Sequence, residues 1–372
     1  MEGTRVLLLP VPSCVSRFRL DQPMPAPTFG SMMDRRDFLK LGAASLAGCA
    51  SSNFAASPPA IDPVGSGKSP LIWCNLLQLS MNMWCDWEAP ELKGRDSVYQ
   101  PYLRFDQSLW EDLLKKMQQA RMNMVVIDLG DGVKYDSRPE IAVKGAWSTT
   151  DLRRELKRMR SMGLEPIPKL NFSTTHDAWL GKYGRCVSTD VYYGVCRDLI
   201  AEVSHLFDRP RFFHLGMDEE EYESQRNHEH IVLRQYDAWW RDFLFLVGEV
   251  EKASSRPWIW SDCVWRHPDL FYQKMPKSVV QSNWCYDAKW DPQNAKARVF
   301  RELEQHGYDQ VPTGSNYYNP TNFAALVEAC RRTLNPDHVL GYFQTPWKAT
   351  LEKYRQHHLE AIEQVAQAMQ GV

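Results

Sequence analysis

Phe212-Phe213-His214-Leu215-Gly216-Met217-Asp218-Glu219 is the stretch on which the reading of this chain turns. It begins as a short apolar run, which suits a strand buried on both faces. It ends in two adjacent carboxylates, with Glu220, Glu221 and Glu223 close behind. A buried strand that runs out into an acid pair is where a (β/α)8 barrel would place its chemistry, because active sites of that fold sit at the C-terminal strand ends. The same residues also suit a strand that stops at a solvated acidic helix start, where carboxylates complement the helix dipole.

On either side, apolar runs alternate with amphipathic stretches. Strands are expected at Leu71–Trp84, Asn123–Leu129, Glu165–Asn171, Phe212–Gly216, Trp258–Val264, Val279–Trp284, Gln310–Ser315 and Val339–Gln344. Helices are expected at Ser108–Arg121, Thr149–Met162, Thr189–Phe207, Ile231–Ala253, Asn294–His306, Thr321–Leu334 and Leu351–Met369. Only the link around Pro268–Lys277 is too short for a full helix. Ser108 and Thr149 read as caps, and Gly163 and Gly307 as stops. Eight strands alternating with helices predict an α/β fold, a (β/α)8 TIM barrel in a single domain over residues 69–372. An open doubly wound sheet is the alternative, but no Gly-rich phosphate loop follows the first strand. No cofactor is expected.

In a barrel, one rim would collect Asp128 and Asp131 from strand two, and His176 beyond strand three. Strand four would bring His214, Asp218 and Glu219, and strand five Trp260 and Asp262, two apart and so on one face. Trp284, then Tyr317, Tyr318 and Asn319, and finally Trp347 would complete it. Carboxylates flanked by Trp and Tyr resemble a sugar pocket, in which acids cleave and aromatics hold the ring. A metal site built from His176, His214, Asp128 and Asp262 competes with this. The first strand lacks the paired histidines of barrel metallohydrolases, so no metal is expected. No nucleophile-elbow motif is present either.

His214-x-Gly216-x-Asp218-Glu219 resembles the His-x-Gly-Gly-Asp-Glu signature of family 20 β-N-acetylhexosaminidases. The likeness extends through Val126–Asp131 with Arg138–Ile141, and through Gly163–Pro168 with His176. It continues with Trp258-Ile259-Trp260-Ser261-Asp262, Tyr317-x-Asn319 and Trp347. The resemblance implies a retaining, substrate-assisted glycosidase. Glu219 would protonate the leaving oxygen, and Asp218 would orient the 2-acetamido group whose carbonyl oxygen attacks the anomeric carbon. Trp260, Trp284 and Trp347 would wall the acetamido pocket, and Tyr317 would hydrogen-bond the carbonyl oxygen. Adjacent residues on a regular strand face opposite ways, so both acids can serve only if the strand breaks at Asp218. A general acid must also hold its proton, and burial among the three tryptophans is expected to favour that at Glu219.

The sequence departs from the family at several points. Met217 replaces the second motif glycine, Ser80–Trp84 carries no first-strand arginine, and Trp-x-Glu becomes Trp347-Lys348-Ala349. Only a tether precedes the first strand, where the family usually has an α+β domain. These changes imply an altered sugar. They also keep open a second reading, a catalytically silent glycan-binding surface lipoprotein.

The N-terminal region reads as an address. Arg35-Arg36-x-Phe38-Leu39-Lys40 precedes a short apolar run closing on Leu46-Ala47-Gly48-Cys49. This resembles a twin-arginine signal with a lipobox, in which Cys49 would be acylated and anchor the protein to a membrane. Residues 1–49 are then the signal region, with translation expected to start at Met32 or Met33, and 50–68 are a flexible tether. The protein would be exported and sit in the periplasm or at the cell surface, with the outer membrane as the expected site. The 372 residues carry 44 basic and 46 acidic side chains and no basic stripe, so nucleic acid is not an expected partner and a carbohydrate is. Nine cysteines without a CxxC pair argue against structural zinc and a dense disulfide framework, leaving room for one late Cys263–Cys285 bond.

Overall fold

The computed structural model describes residues 70–371 apart from 288, 289 and 292. The expected signal, the tether and Cys49 lie outside the described residues. Eight parallel strands form the barrel: β1 (Ile72–Gln78), β2 (Met124–Asp128), β3 (Glu165–Lys169), β4 (Phe212–His214), β5 (Arg256–Trp260), β6 (Val280–Ser282), β7 (Thr313–Gly314) and β8 (Gly341–Gln344). They pair in the order β6-β5-β4-β3-β2-β1-β8-β7. Val311 N–H donates to Gln281 O at 2.9 Å and Thr313 N–H to Asn283 O at 3.0 Å, joining β6 to β7 and closing the ring.

Helices follow the strands: α1 (Gln107–Gln119), α2 (Thr149–Ser161), α3 (Asp190–Leu206), α4 (Tyr236–Lys252), the short α5 (Pro268–Lys274), α6 (Ala295–Gln305), α7 (Asn322–Thr333) and α8 (Arg355–Gln370). Among the described residues, none is long and apolar enough to cross a membrane. Ser148, one residue before the expected cap, closes a capping box with Asp151, and Asp106 rather than Ser108 precedes α1. Gly163 and Gly307 do end their helices, at φ of 76° and 70°. Helix α4 starts five residues later than its apolar pattern predicts. Arg234 is drawn inward instead, donating to Glu220 Oε1 at 2.7 Å and Asp242 Oδ2 at 3.1 Å, all three side chains buried. A buried guanidinium paired on two sides overrides helical periodicity.

Strand alternation fixes the interior. Ile72, Cys74 and Leu76 of β1, Met124 and Val126 of β2, Ile167, Phe212, Trp258, Trp260, Val280, Val311 and Phe343 form the inner cluster. Stepping two residues further along the strands gives Gln78, Asp128, Lys169, His214 and Ser282, all buried and all polar. The inner face therefore changes from oil to charge at its C-terminal end. The seven cysteines from Cys74 to Cys330 are free thiols, Cys263 and Cys285 among them.

Candidate active site

The chain leaves β4 through an unusual backbone. Gly216, Met217 and Glu219 have φ of 73°, 75° and 54°, left-handed values that two non-glycine residues adopt at a cost of about 1–3 kcal/mol each. Asn171 holds the break. Its Oδ1 accepts from Met217 N–H at 3.2 Å and its Nδ2 donates to Asp218 Oδ1 at 2.9 Å. A Cβ at residue 216 would overlap the Asn171 amide, so only glycine fits there. Ser173 and Thr175 hydroxyls donate to Asp218 O, and Asp262 Oδ2 accepts from Glu219 N–H at 2.7 Å. Strand alternation thus stops before the acids, and both can address one space.

His176 occupies that space. Its Nδ1 lies 3.3 Å from Asp218 Oδ1 and its Nε2 lies 3.5 Å from Glu219 Oε2. Burial opposes its charge, but the Asp218 carboxylate above all, then Glu219, raises its pKa to about 10. Burial alone would push the Asp218 carboxyl up. The His176 charge and hydrogen bond, the Lys169 charge and the Asn171 amide outweigh it and hold Asp218 below the usual carboxylate range. Asp262 is driven the other way, to about 7, by burial and then by the Asp218 charge. Its Oδ1 has no partner among the described residues. The Glu219 side chain is not buried among tryptophans as expected. It is 38% exposed, with Oε2 against the imidazole, on a residue of left-handed backbone.

The other predicted residues divide into two groups. Trp347 (φ 50°) donates from Nε1 to Tyr286 OH at 3.0 Å and lies 5.8 Å from Trp260, whose ring stacks on Phe343. Trp284 stacks on Tyr286, and Tyr317 and Tyr318 stand exposed beyond β7. These are rim residues, although Trp260 itself is buried in the layer below. The second group is used internally. Asp128 forms a buried ion pair with Lys169, and Asp131 accepts from Ser80 Oγ and Asn82 Nδ2 in the segment after β1. His214 is fully buried against Trp258 and Trp260, its Nδ1 accepting from Gly216 N–H at 3.0 Å. Its position in the inner layer makes it a support of the motif, with no face at the mouth. Asn319 spends its carbonyl on capping Thr321. Asp262 has helical backbone, since β5 ends at Trp260, so alternation does not account for its placement.

Sequence reasoning passed over Lys169, Tyr286, Trp84 and Arg234. The inward parity of Ile167 was a usable signal for Lys169. Trp84 packs edge-on against His176 at 5.9 Å, a contact with no local signature. His176, Asp218 and Glu219 offer ligand atoms within 4.8 Å of one another, a spacing that could hold a cation. The two carboxylates, however, face opposite ring nitrogens, so the imidazole here is a double proton donor, whereas a metal ligand must present a lone pair. The set His176, His214, Asp128 and Asp262 is not assembled, because Lys169 takes Asp128 and ring packing takes His214.

No family model and no curated protein sequence matches the chain. Solved structures do. The β-N-acetylhexosaminidase from Bacteroides fragilis NCTC 9343 aligns with a TM-score of 0.54 at 14% identity, over 78% of this chain and 65% of that one. The family 20 β-N-acetylhexosaminidase from Streptomyces coelicolor A3(2) gives 0.54 at 14%, over 78% and 64%. The Streptomyces plicatus N-acetyl-β-hexosaminidase in complex with Thio-NAglucal gives 0.56 at 13%, over 79% and 63%. The chain thus has the (β/α)8 fold of family 20 hexosaminidases and spans just under two thirds of the length of each.

Proposed function

We propose that the protein is a glycoside hydrolase that cleaves a sugar bearing a 2-acetamido group, by a retaining, substrate-assisted route. The observation that carries this reading is the broken end of β4, which points two successive carboxylates at one imidazole. Asp218 is already engaged by Asn171 and His176, which suits it to orient a substrate group rather than to attack carbon, and a nucleophile supplied by the substrate fits that role. The 2-acetamido carbonyl oxygen would bond to the anomeric carbon as the glycosidic bond breaks and Glu219, which must carry a proton in the substrate complex in place of its contact with His176, gives that proton to the leaving oxygen. Water would then open the oxazolinium ion, returning its proton to Glu219. Asp218, held ionised by His176, Lys169 and Asn171, would orient the acetamido N–H and stabilise the positive charge. The Trp260–Trp347 wall and Tyr317 would border the acetamido group.

The reading is tested by comparing an aryl N-acetyl-β-glucosaminide with the matching β-glucoside. Cleavage should require the acetamido group, with the glucoside at least about 10²-fold slower. Equal rates would contradict substrate assistance. A glycan-binding protein without turnover is the second outcome, favoured by the residues that depart from the family pattern just beyond β1 and β8, at Ser80–Trp84 and Lys348-Ala349. For the cell biology, we propose twin-arginine export with Cys49 acylated. Lysine at both Arg35 and Arg36 should trap the protein in the cytoplasm, and full export of that variant would refute the address.

A further inference from the structure

Around the mouth, most cations are neutralised by carboxylates. Lys169 pairs with Asp128, His176 with Asp218 and Glu219, Arg234 with Glu220 and Asp242, Arg266 with Glu221, and Lys353 with Asp96. Two lysines are held differently. Lys296, in the first turn of α6, places Nζ 3.9 Å from the ring centroid of Trp284 and 4.2 Å from that of Trp265. Lys348, one residue past Trp347, places Nζ 4.5 Å from the ring centroid of Tyr317 and 5.2 Å from that of Tyr354. Neither has an ion-pair partner within 4.0 Å among the described residues. Both are half-buried, and Lys296 lies within longer electrostatic reach of Asp262, Asp287 and Glu219.

An aromatic face orients an ammonium group without cancelling its charge. Trp284, Tyr317 and Lys348 follow three successive strands, β6, β7 and β8, and β8 lies across the barrel from β4. The acid pair therefore stands at the end of β4, while two ring-held ammonium groups without a direct ion pair stand along β6–β8. A neutral sugar would offer neither ammonium group an ion pair. A sulfate ester or carboxylate on the sugar would receive charge-assisted hydrogen bonds from them.

We infer that Lys348 and Lys296 form a subsite for a negatively charged substituent, so that the glycan recognised is an acidic one. This rests on the proposed glycosidase reading for the sugar, and on the two lysines for its charge. The test compares kcat/KM of the full-length protein on an aryl N-acetyl-β-glucosaminide, its 6-O-sulfo derivative and a carboxylate-bearing analogue. At least one charged substrate should be preferred by about tenfold or more, the sulfated one marking sulfate esters and the other carboxylates. The preference should shrink with salt, and Lys348→Met should remove most of it while leaving the neutral substrate within about twofold. Equal rates on all three substrates, or an equal loss on neutral and charged ones in Lys348→Met and Lys296→Met, would overturn the inference. If nothing is cleaved, the glycosidase reading fails and the subsite is judged by calorimetry with 6-sulfo-N-acetylglucosamine. Binding that Lys348→Met weakens about tenfold upholds it, and no binding, or binding indifferent to both substitutions, overturns it.

Discussion

The end of β4 and the ends of β6 to β8 face the same mouth but are held by different physics. At β4, three left-handed residues, the Asn171 side chain and hydroxyls from Ser173 and Thr175 fix the backbone under Asp218, and Asp262 fixes the amide of Glu219. Every contact there is directional, and several are to main-chain atoms. From β6 to β8 the residues rest on one another through rings: Trp284 on Tyr286, Lys296 on Trp284 and Lys348 on Tyr317. Ring contacts tolerate substitution, whereas a main-chain network has few alternatives. On the proposed reading, the difference would separate chemistry from recognition, an acid pair persisting on a scaffold while the surface that reads a sugar is exchanged.

The largest structural test of this contrast is Gly216→Ala. The added Cβ must displace the Asn171 side chain at a φ that disfavours it, so unfolding in denaturant should register a loss of roughly 2–4 kcal/mol. A nearly neutral change would mean that the β4 end is not over-determined. Asp262→Asn is the next. The folded pKa of Asp262, about 7, stands above an unfolded value of about 3.9, so the stability it contributes is full below pH 4 and is lost as pH rises to 7. The Asn variant keeps an acceptor for Glu219 N–H and lacks this titration. Relative to it, the wild type should lose roughly 2–4 kcal/mol between pH 4 and 7. Parallel Tm curves for the two proteins over that range would contradict the assignment. Smallest is Trp347→Phe, which removes one hydrogen bond to Tyr286 from a ring-packed wall and should cost about 1 kcal/mol. A loss several times greater in a denaturant titration would erase the distinction between the two sides.

The barrel was legible because its signal is periodic. Eight apolar runs and their intervening helices stand where the pattern places them, and the glycine stops at Gly163 and Gly307 are local chemistry. The acid pair was legible as a pair. Its geometry was not, since φ at Met217 and Glu219 is set by Asn171 and Asp262, which lie 46 and 43 positions away. Strand ends were drawn too long. Trp258–Val264 was drawn as one strand, but β5 ends at Trp260 and the chain turns helical at Asp262, where Ser261-Asp262 is a polar break of the kind that opens helices. His214 and Asp128 were placed at the rim as strand-end residues; they lie buried in the polar layer at the C-terminal end of the inner face, Asp128 on Lys169 and His214 against Trp260.

Substitution of Glu219 tests the central claim most directly. Glu219→Gln should be assayed on two substrates of the same sugar, one with an activated aryl leaving group and one with a poor alcohol leaving group. A general acid matters where the leaving oxygen needs a proton, so turnover of the poor substrate should fall by roughly 10²–10⁴-fold and that of the activated one much less. Wild-type turnover of the poor substrate by Glu219→Gln would contradict the account.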